Sequence, residues 1–381
     1  MVAWTLIAVD WGLALALVPF IMRKQRPVVK LAWIAFVFAL PFVGSLFYIL
    51  IGESRLGHAR VRRRGEIRRL INKTARSELV APHVVAPRTS AEHADLTRLT
   101  ERLGDIPVLG GNRVTILGGG DEMIDALVKD IEQARHHVHL LYYIYAGDRT
   151  GLRVAEALRS AAKRGVVCRV LIDDAGSWGR LGRVDEYMLE GGVIVRRALP
   201  VSILRVPFKR IDVRNHRKLA VIDGLVSYVG SQNIIDAFLS KELGAYEDLT
   251  LRVTGPAVMA LQMTFVDDWL AETSEQLEGE SYYPRIESEP GMALQIVRSG
   301  PPYPPDAFSH LITAAIHESN ERVTVTTPYF IPDEPTIAAL RIAALRGVKV
   351  EVMVPMKSDA WIGDAAARAH FDTLLEVGVN V

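Results

Sequence analysis

The stretch that decides the fold is residues 151–174, GLRVAEALRSAAKRGVVCRVLIDD. Its apolar residues recur at helical spacing up to Gly165, where the helix is expected to end, and the apolar run that follows predicts a buried strand. Residues 334–355, EPTIAALRIAALRGVKVEVMVP, repeat the pattern 182 positions later. The recurring residues are Leu158, Arg159, Ala161, Ala162, Arg164, Gly165 and Val166, which match Leu340, Arg341, Ala343, Ala344, Arg346, Gly347 and Val348.

The repeat extends on both sides of these stretches. The run RHHVHLLYYIY before the first helix matches NERVTVTTPYF before the second, and LEGGVIV matches LEVGVNV after them. A tandem duplication of strand–helix–strand units predicts an α/β fold with mixed, largely buried sheets. We expect the first copy in residues 106–285 and the second copy in residues 286–381.

Charge is unevenly distributed along the 381 residues. Residues 1–80 carry thirteen Lys and Arg against four acids, a net charge of +9, whereas the whole chain has a net charge of +1. The body that follows is therefore acidic, which argues against a nucleic-acid-binding protein. The single cysteine, Cys168, excludes an intrachain disulfide and a thiol-based metal cluster.

Two apolar segments of 21 residues, Val2–Met22 and Leu31–Ile51, predict a hairpin of two transmembrane helices in residues 1–52. The first contains Asp10, an ionisable group that is costly inside a bilayer. A cleaved signal peptide fits less well, because its apolar core should be shorter and no second segment should follow. Residues 53–105 predict a basic juxtamembrane segment and a linker. Their arginine excess favours a cytoplasmic position for the body that follows.

The second informative stretch is residues 215–233, NHRKLAVIDGLVSYVGSQN. Side chains alternate between the faces of a strand, so His216 and Lys218 are expected on one face. An imidazole can attack phosphorus while a fixed ammonium neutralises the phosphate oxygens, as phosphoryl or phosphatidyl transfer requires. Taken singly, these residues would be interpreted more simply as a core histidine and a strand lysine. Their combination with the rest of the motif indicates a catalytic site.

The remainder of that motif predicts a hairpin. Asp223 and the glycine after it form a strong turn signal, and the returning strand ends at GSQN, where Ser231 and Asn233 could donate hydrogen bonds to the same phosphate oxygens. In the register of the duplication, a second motif would fall just past Val381. No other histidine in the sequence is followed by a lysine two positions later. We therefore expect the second copy to be incomplete.

The spacing His-x-Lys-x4-Asp-x6-Gly-Ser-x-Asn resembles the signature of the phospholipase D superfamily, and the chain looks like the bacterial cardiolipin synthases within it. Further landmarks are LAWIAFVFALPFVGSLFYILIGE, YEDLTLRVTGPAVMALQMTFVDDW and TTPYFIPD. The resemblance covers essentially the whole chain and lacks the second catalytic motif. It implies tandem phospholipase D-like domains and a multi-pass protein of the bacterial inner (cell) membrane.

The resemblance also implies a reaction. Two phosphatidylglycerol molecules would give cardiolipin and glycerol through a phosphohistidine intermediate. His216 would be the nucleophile or, alternatively, the general acid, Lys218 would bind phosphate, and Asp223 would support the turn and the local charge balance. Asp248, in preference to its neighbour Glu247, would orient the histidine. No metal and no organic cofactor are needed for this chemistry.

Two histidines, His137 and His139, share a strand face as a zinc pair might, but ordinary strand histidines are the favoured interpretation because no cysteine or helical spacing accompanies them.

The expected partners are phosphatidylglycerol and anionic membrane lipids, without nucleic acid, and a homo-oligomer stays open. Residues 196–218 carry eight basic residues against one acid around VSILRVPF, which is typical of an anionic interface or of a basic surface loop.

Two alternatives to an active synthase stay open. The chain could be an inactive or lipid-binding fragment, or another phospholipase D-type phosphodiesterase that completes its site by dimerising. One histidine cannot readily serve as both nucleophile and leaving-group acid, so we expect little turnover from these 381 residues alone.

Overall fold

The computed structural model describes residues 2–24, 27–52, 79–86, 91–104, 106–201, 214–240, 244–287, 289–300, 303, 306–356 and 361–381. Most of the predicted juxtamembrane segment, and residues 202–213 of the basic segment, lie outside the described residues.

Helices form the N-terminal region. They are α1 (Val2–Lys24), α2 (Pro27–Ala39) and α3 (Val43–Phe47), followed by a π-helical turn (Tyr48–Gly52). The second predicted span is broken, because Pro41 has no amide hydrogen and Phe42 has a φ of 57°. The buried carboxylate of Asp10, within α1, accepts the backbone N–H of Phe42 at 2.7 Å and so fixes this break.

No helix in the part of the chain that the structure describes combines the length and the apolar character needed to cross a bilayer. The prediction of two transmembrane helices is therefore wrong, and this finding does not support a multi-pass protein. The second apolar segment yields a helix of 13 residues and another of 5 residues in place of one continuous span.

An eight-stranded sheet forms the centre of the catalytic body. Its strands are β1 (Leu109–Gly118), β2 (His137–Tyr142), β3 (Val167–Asp173), β4 (Ile194–Ala198), β5 (Lys218–Ile222), β6 (Val226–Gly230), β9 (Leu249–Thr254) and β10 (Met292–Leu294); β7 (Phe238–Ser240) and β8 (Gly244–Ala245) pair separately. The order across the sheet is β10-β1-β9-β6-β5-β2-β3-β4. Strands β2, β3 and β4 are parallel, whereas β5 runs antiparallel to β2 and pairs with β6 in a hairpin.

Helices cover both faces of this sheet. They are α5 (Asp121–Gln133), α6 (Arg149–Lys163), α7 (Val184–Glu190) and α8 (Ala257–Thr273), whereas α4 (Ala91–Gly104) precedes the first strand. Helices α5 to α7 pack with one face of the sheet, and α8 packs on the other. Every residue of α8 from Ala257 to Leu270 is buried, which explains why apolar residues occur on all sides of this helix. The predicted α/β fold with a largely buried sheet is confirmed.

The second copy is a smaller α/β unit. Its elements are α9 (Ala307–Glu318), β11 (Arg322–Thr326), α10 (Glu334–Leu345), β12 (Lys349–Met353), α11 (Trp361–Arg368) and α12 (Phe371–Leu375). Strands β11 and β12 are parallel, as β2 and β3 are.

The repeated Arg-Gly pair makes the same local structure in both copies. Gly165 and Gly347 have φ angles of 91° and 88°, a left-handed conformation that suits glycine at the end of a helix. The arginine before each glycine donates to a carbonyl in the last turn of the preceding helix: Arg164 to Ile131 at 3.1 Å, and Arg346 to His317 at 2.6 Å. The residues that recur in sequence therefore perform recurring structural tasks.

Candidate active site

A buried carboxylate fixes the loop that leads into the motif. Asp173, the last residue of β3, is 1% exposed. Its Oδ1 accepts hydrogen bonds from Nε and Nη2 of Arg214 at 3.0 and 2.8 Å, and its Oδ2 accepts the backbone N–H of Asn215 at 3.1 Å. Oδ1 also accepts the backbone N–H groups of Ala175 and Gly176. One carboxylate thus ties the start of the motif to the loop after β3.

A second buried acid anchors the motif from α8. Asp268 accepts hydrogen bonds from Nδ2 of Asn215 at 2.9 Å and from Nη1 of Arg217 at 2.8 Å. Arg217 also donates to the Ser299 carbonyl, and its guanidinium lies 5.3 Å from the ring centroid of Tyr303. This arginine therefore binds α8 and the 299–303 connection.

The histidine and lysine of the motif lie together, as the spacing predicts. His216 is exposed in the loop just before β5, and Lys218 is the buried first residue of β5. Lys218 Nζ lies 2.9 Å from Nδ1 of His216 and donates to the His216 carbonyl at 2.8 Å. An ammonium is thereby held beside an imidazole that faces solvent.

Burial changes the titration of both groups. It lowers the pKa of Lys218 to about 8, against the opposing charges of Asp248 and Asp173. It also lowers the pKa of His216, and the charge of Lys218 acts in the same direction while Asp173 opposes it. At neutral pH the pair is therefore a neutral imidazole next to an ammonium.

An aromatic ring completes the surroundings of the pair. Tyr143 follows β2, and its ring centroid lies 3.9 Å from that of His216 and 5.2 Å from Lys218 Nζ. Gly176 makes room for this ring, because a Cβ at that position would lie 2.6 Å from Tyr143 Cε2. Burial, together with the charge of Asp173, raises the pKa of Tyr143, so the phenol remains neutral.

The small polar residues of the motif are used in part by the protein itself. Ser231 Oγ donates to Asp248 Oδ1 at 2.6 Å and accepts the Leu249 N–H at 3.0 Å. Asn233 Oδ1 accepts the backbone N–H of Ile144 at 3.0 Å, directly after Tyr143. Asp248 thus lies against Ser231 and acts electrostatically on Lys218; its orienting role toward the histidine stays a prediction.

Asp223 lies at the other end of β5 from Lys218. Its carboxylate accepts the backbone N–H groups of Arg135, His136 and His137, each at 2.8 Å. Its φ of 53° and the φ of 67° at Gly224 form the turn between β5 and β6. The structure therefore separates this aspartate from the His–Lys pair and gives it contacts that support the turn and the start of β2.

The two strand histidines of β2 lie in the core. The rings of His137 and His139 are 4.4 Å apart, and His139 stacks on Phe265 of α8. Burial lowers the pKa of His137 to about 4 and that of His139 well below its usual value. Within the described ranges, no group of three or more His, Cys, Asp or Glu side chains could hold a metal ion.

Sequence reasoning missed four residues that build this site: Tyr143, Asp173, Arg214 and Asn215. The available signal was VLIDD, where acids follow a buried strand, because ligands of α/β proteins bind outside the carboxyl ends of strands. Nothing in the sequence connects Asp173 with a loop that lies more than 40 positions further on.

Comparison with known proteins agrees with this geometry. A family model described as cardiolipin synthase, PLD-like domain, matches residues 127–265 and again residues 312–381. A second model, described as phospholipase D-nuclease N-terminal, matches residues 11–53.

Curated relatives cover the whole chain. Cardiolipin synthase A of Salmonella arizonae is 32% identical over 100% of this chain and 80% of its own length, and that of Erwinia tasmaniensis is 34% identical with the same coverage. Among solved structures, phosphatidylserine synthase of Haemophilus influenzae is similar over 74% of this chain and 72% of its own, with 14% identity and a TM-score of 0.49. The chain therefore belongs to the cardiolipin synthase family of the phospholipase D superfamily and is a phosphatidyltransferase.

Proposed function

We propose that this cardiolipin synthase moves the phosphatidyl group of one phosphatidylglycerol to a glycerol hydroxyl of another, with His216 as the nucleophile. The observation that carries the proposal is the buried ammonium of Lys218, 2.9 Å from the imidazole of an exposed histidine. This arrangement supports a nucleophile next to a phosphate-binding cation. The substrates follow from the family to which the chain belongs.

The hydrogen bond within the pair sets the starting tautomer. An ammonium can only donate, so Nδ1 of His216 accepts and the ring proton lies on Nε2. When a phosphate binds, Lys218 can donate to its oxygens, and Nδ1 can then take the ring proton. This releases the lone pair of Nε2 for attack.

Transfer then takes two balanced steps. In the first, His216 Nε2 forms a bond to phosphorus, the bond from phosphorus to the glycerol oxygen breaks, and an acid gives that oxygen a proton. In the second, a hydroxyl of another phosphatidylglycerol gives its proton to a base and attacks phosphorus. The N–P bond breaks, which releases cardiolipin and restores the histidine.

The acid and base of these steps belong, in this proposal, to the other half of a twofold site. We place the second copy in residues 286–381, and the sequence carries no second His-x-Lys spacing. Ser231 and Asp248 would support the phosphate-binding lysine from the first half, through the Ser231–Asp248 hydrogen bond and the charge of Asp248. The lipid substrates place the reaction at the surface of the bacterial cell membrane.

The test is a product assay on phosphatidylglycerol vesicles, with cardiolipin, glycerol and phosphatidic acid measured by mass spectrometry. When the other half of the site is supplied as well, we expect cardiolipin and glycerol in equal amounts, and a loss of more than about 1,000-fold in His216→Ala. The matched control is His136→Ala, which removes an exposed histidine away from the site. Phosphatidic acid as the main product would indicate hydrolysis, and normal cardiolipin formation by His216→Ala would exclude the proposed nucleophile.

A further inference from the structure

The loop after β3, residues 174–183, holds a tryptophan out into solvent. Trp178 is 70% exposed, and Gly179 and Arg180 beside it are exposed as well. Leaving an indole in water forgoes the large apolar stabilisation that its burial would bring. A solvent-facing tryptophan at a loop tip is therefore a candidate contact for another apolar phase.

The loop that presents this tryptophan is firmly tied to the sheet. Ser177, fully buried, donates from Oγ to the Tyr143 carbonyl at 3.1 Å and accepts the Tyr145 N–H at 3.0 Å. On the other side of the tip, the Arg180 carbonyl accepts the Gly147 N–H at 2.8 Å. Fixed backbone on both sides thus projects the tip outward.

The tip lies at the rim of the active site. Gly176 packs against the Tyr143 ring, whose centroid lies 3.9 Å from that of His216. Trp178 is two residues from Gly176, so their Cα atoms are at most about 7 Å apart. The charge of Arg180 also reaches Tyr143, since it acts to lower the pKa of that phenol.

The chemistry of the tip fits one kind of partner. Tryptophan is enriched at the level of lipid headgroups, and arginine is attracted to anionic lipid surfaces. Throughout the described ranges, no acid forms a salt bridge with Arg180. We propose that Trp178 and Arg180 form an interfacial anchor that docks the rim of the active site on an anionic phospholipid bilayer. The choice of lipid rests on the proposed function; the anchor would bring the His–Lys pair to the headgroup layer.

A single label tests this docking directly in the full chain. Cys168 is buried, with a pKa raised to about 12, so a dye that reacts with exposed thiols will label Trp178→Cys selectively. The control is Leu345→Cys in α10, at a residue that is 71% exposed in the second copy. With phosphatidylglycerol vesicles, we expect a blue shift and quenching by brominated lipid at position 178 and little change at position 345. Phosphatidylcholine vesicles should give a weaker response.

Sedimentation with the same vesicles measures how much each side chain contributes. Arg180→Gln should weaken partitioning by about fivefold, and Trp178→Ala should weaken it at least as much. If the emission of the dye at position 178 does not change on vesicle-bound protein, the proposal is overturned. A blue shift that depends on protein concentration without vesicles would also overturn it, because it would indicate a second copy as the partner. The dye emission and the sedimentation can both be measured without turnover. Docking without cardiolipin formation when the other half of the site is supplied would count against the proposed function, whereas cardiolipin formation with a silent tip would count against the anchor.

Discussion

The substitution Asp173→Asn should destabilise the protein strongly, because it removes a buried negative charge that holds the motif loop. The side chains of Asp173 and Arg214 are 1% and 10% exposed. Breaking a buried pair by neutralising one partner costs about 3–5 kcal/mol, since the other charge is left without compensation. Asparagine keeps one acceptor oxygen, so we expect a loss of about 3 kcal/mol, a large share of a total stability of about 5–15 kcal/mol.

Urea unfolding followed by circular dichroism measures this loss, with an unchanged slope as the check on two-state behaviour. The matched control is Asp125→Asn, because the Asp125–Arg153 pair is 60% and 41% exposed and should contribute at most about 1 kcal/mol. Arg214→Met added to Asp173→Asn should recover part of the loss by removing the stranded guanidinium. If Asp173→Asn were as mild as the control, this carboxylate would not hold the loop.

Three further predictions concern the site and the core. Activity should fall as pH rises through about 8, because the buried Lys218 loses its proton there. A flat profile of kcat/KM from about pH 7 to 9.5 would contradict the role of Lys218 as the phosphate-binding cation. Gly176→Ala should lower kcat by about tenfold or more, because its Cβ would clash with the Tyr143 carbonyl oxygen, would lie 2.6 Å from Cε2 of the ring and would shift Tyr143 relative to the imidazole. Tyr143→Phe, which keeps the ring, should retain most of the activity. Equal effects of both changes would argue against a role for the position of the ring. The free energy of unfolding should fall by about 3 kcal/mol between pH 6.5 and 4 through His137, whose pKa is about 4 when folded and 6.5 when unfolded, because protons then bind mainly to the unfolded chain. Replacing His137 and His139 by leucine should flatten this pH dependence. An unchanged slope in that variant would show that other groups cause it.

Local patterns in the sequence were sufficient for the core of the fold. The helix that ends before Gly165, the strand after it and the hairpin at Asp223 each depend on neighbouring residues, and the structure contains all three. The proximity of His216 and Lys218 follows from a spacing of two positions. Such features can be predicted because the physical cause and the residues that respond to it are adjacent in the chain.

The features that could not be predicted depend on long-range contacts. Segment length and composition suggested a second apolar span, but Asp10 reaches across 32 positions to bind Phe42 where that segment breaks. Tyr143 and Asp173 reach the motif only because β2 lies beside β5 in the sheet and β3 lies next to β2. Neither partner is visible in the motif itself, so the surroundings of the His–Lys pair required the fold.

The most direct measurement is the mass of the tryptic peptide that contains His216 after brief incubation with phosphatidylglycerol vesicles and quenching in alkali, where phosphohistidine survives. We expect a phosphatidyl group on His216 in the unsubstituted chain and none in His216→Ala. Cardiolipin formation accompanied by an adduct on a different residue, or by the same yield in His216→Ala, would contradict the assignment of this histidine as the nucleophile.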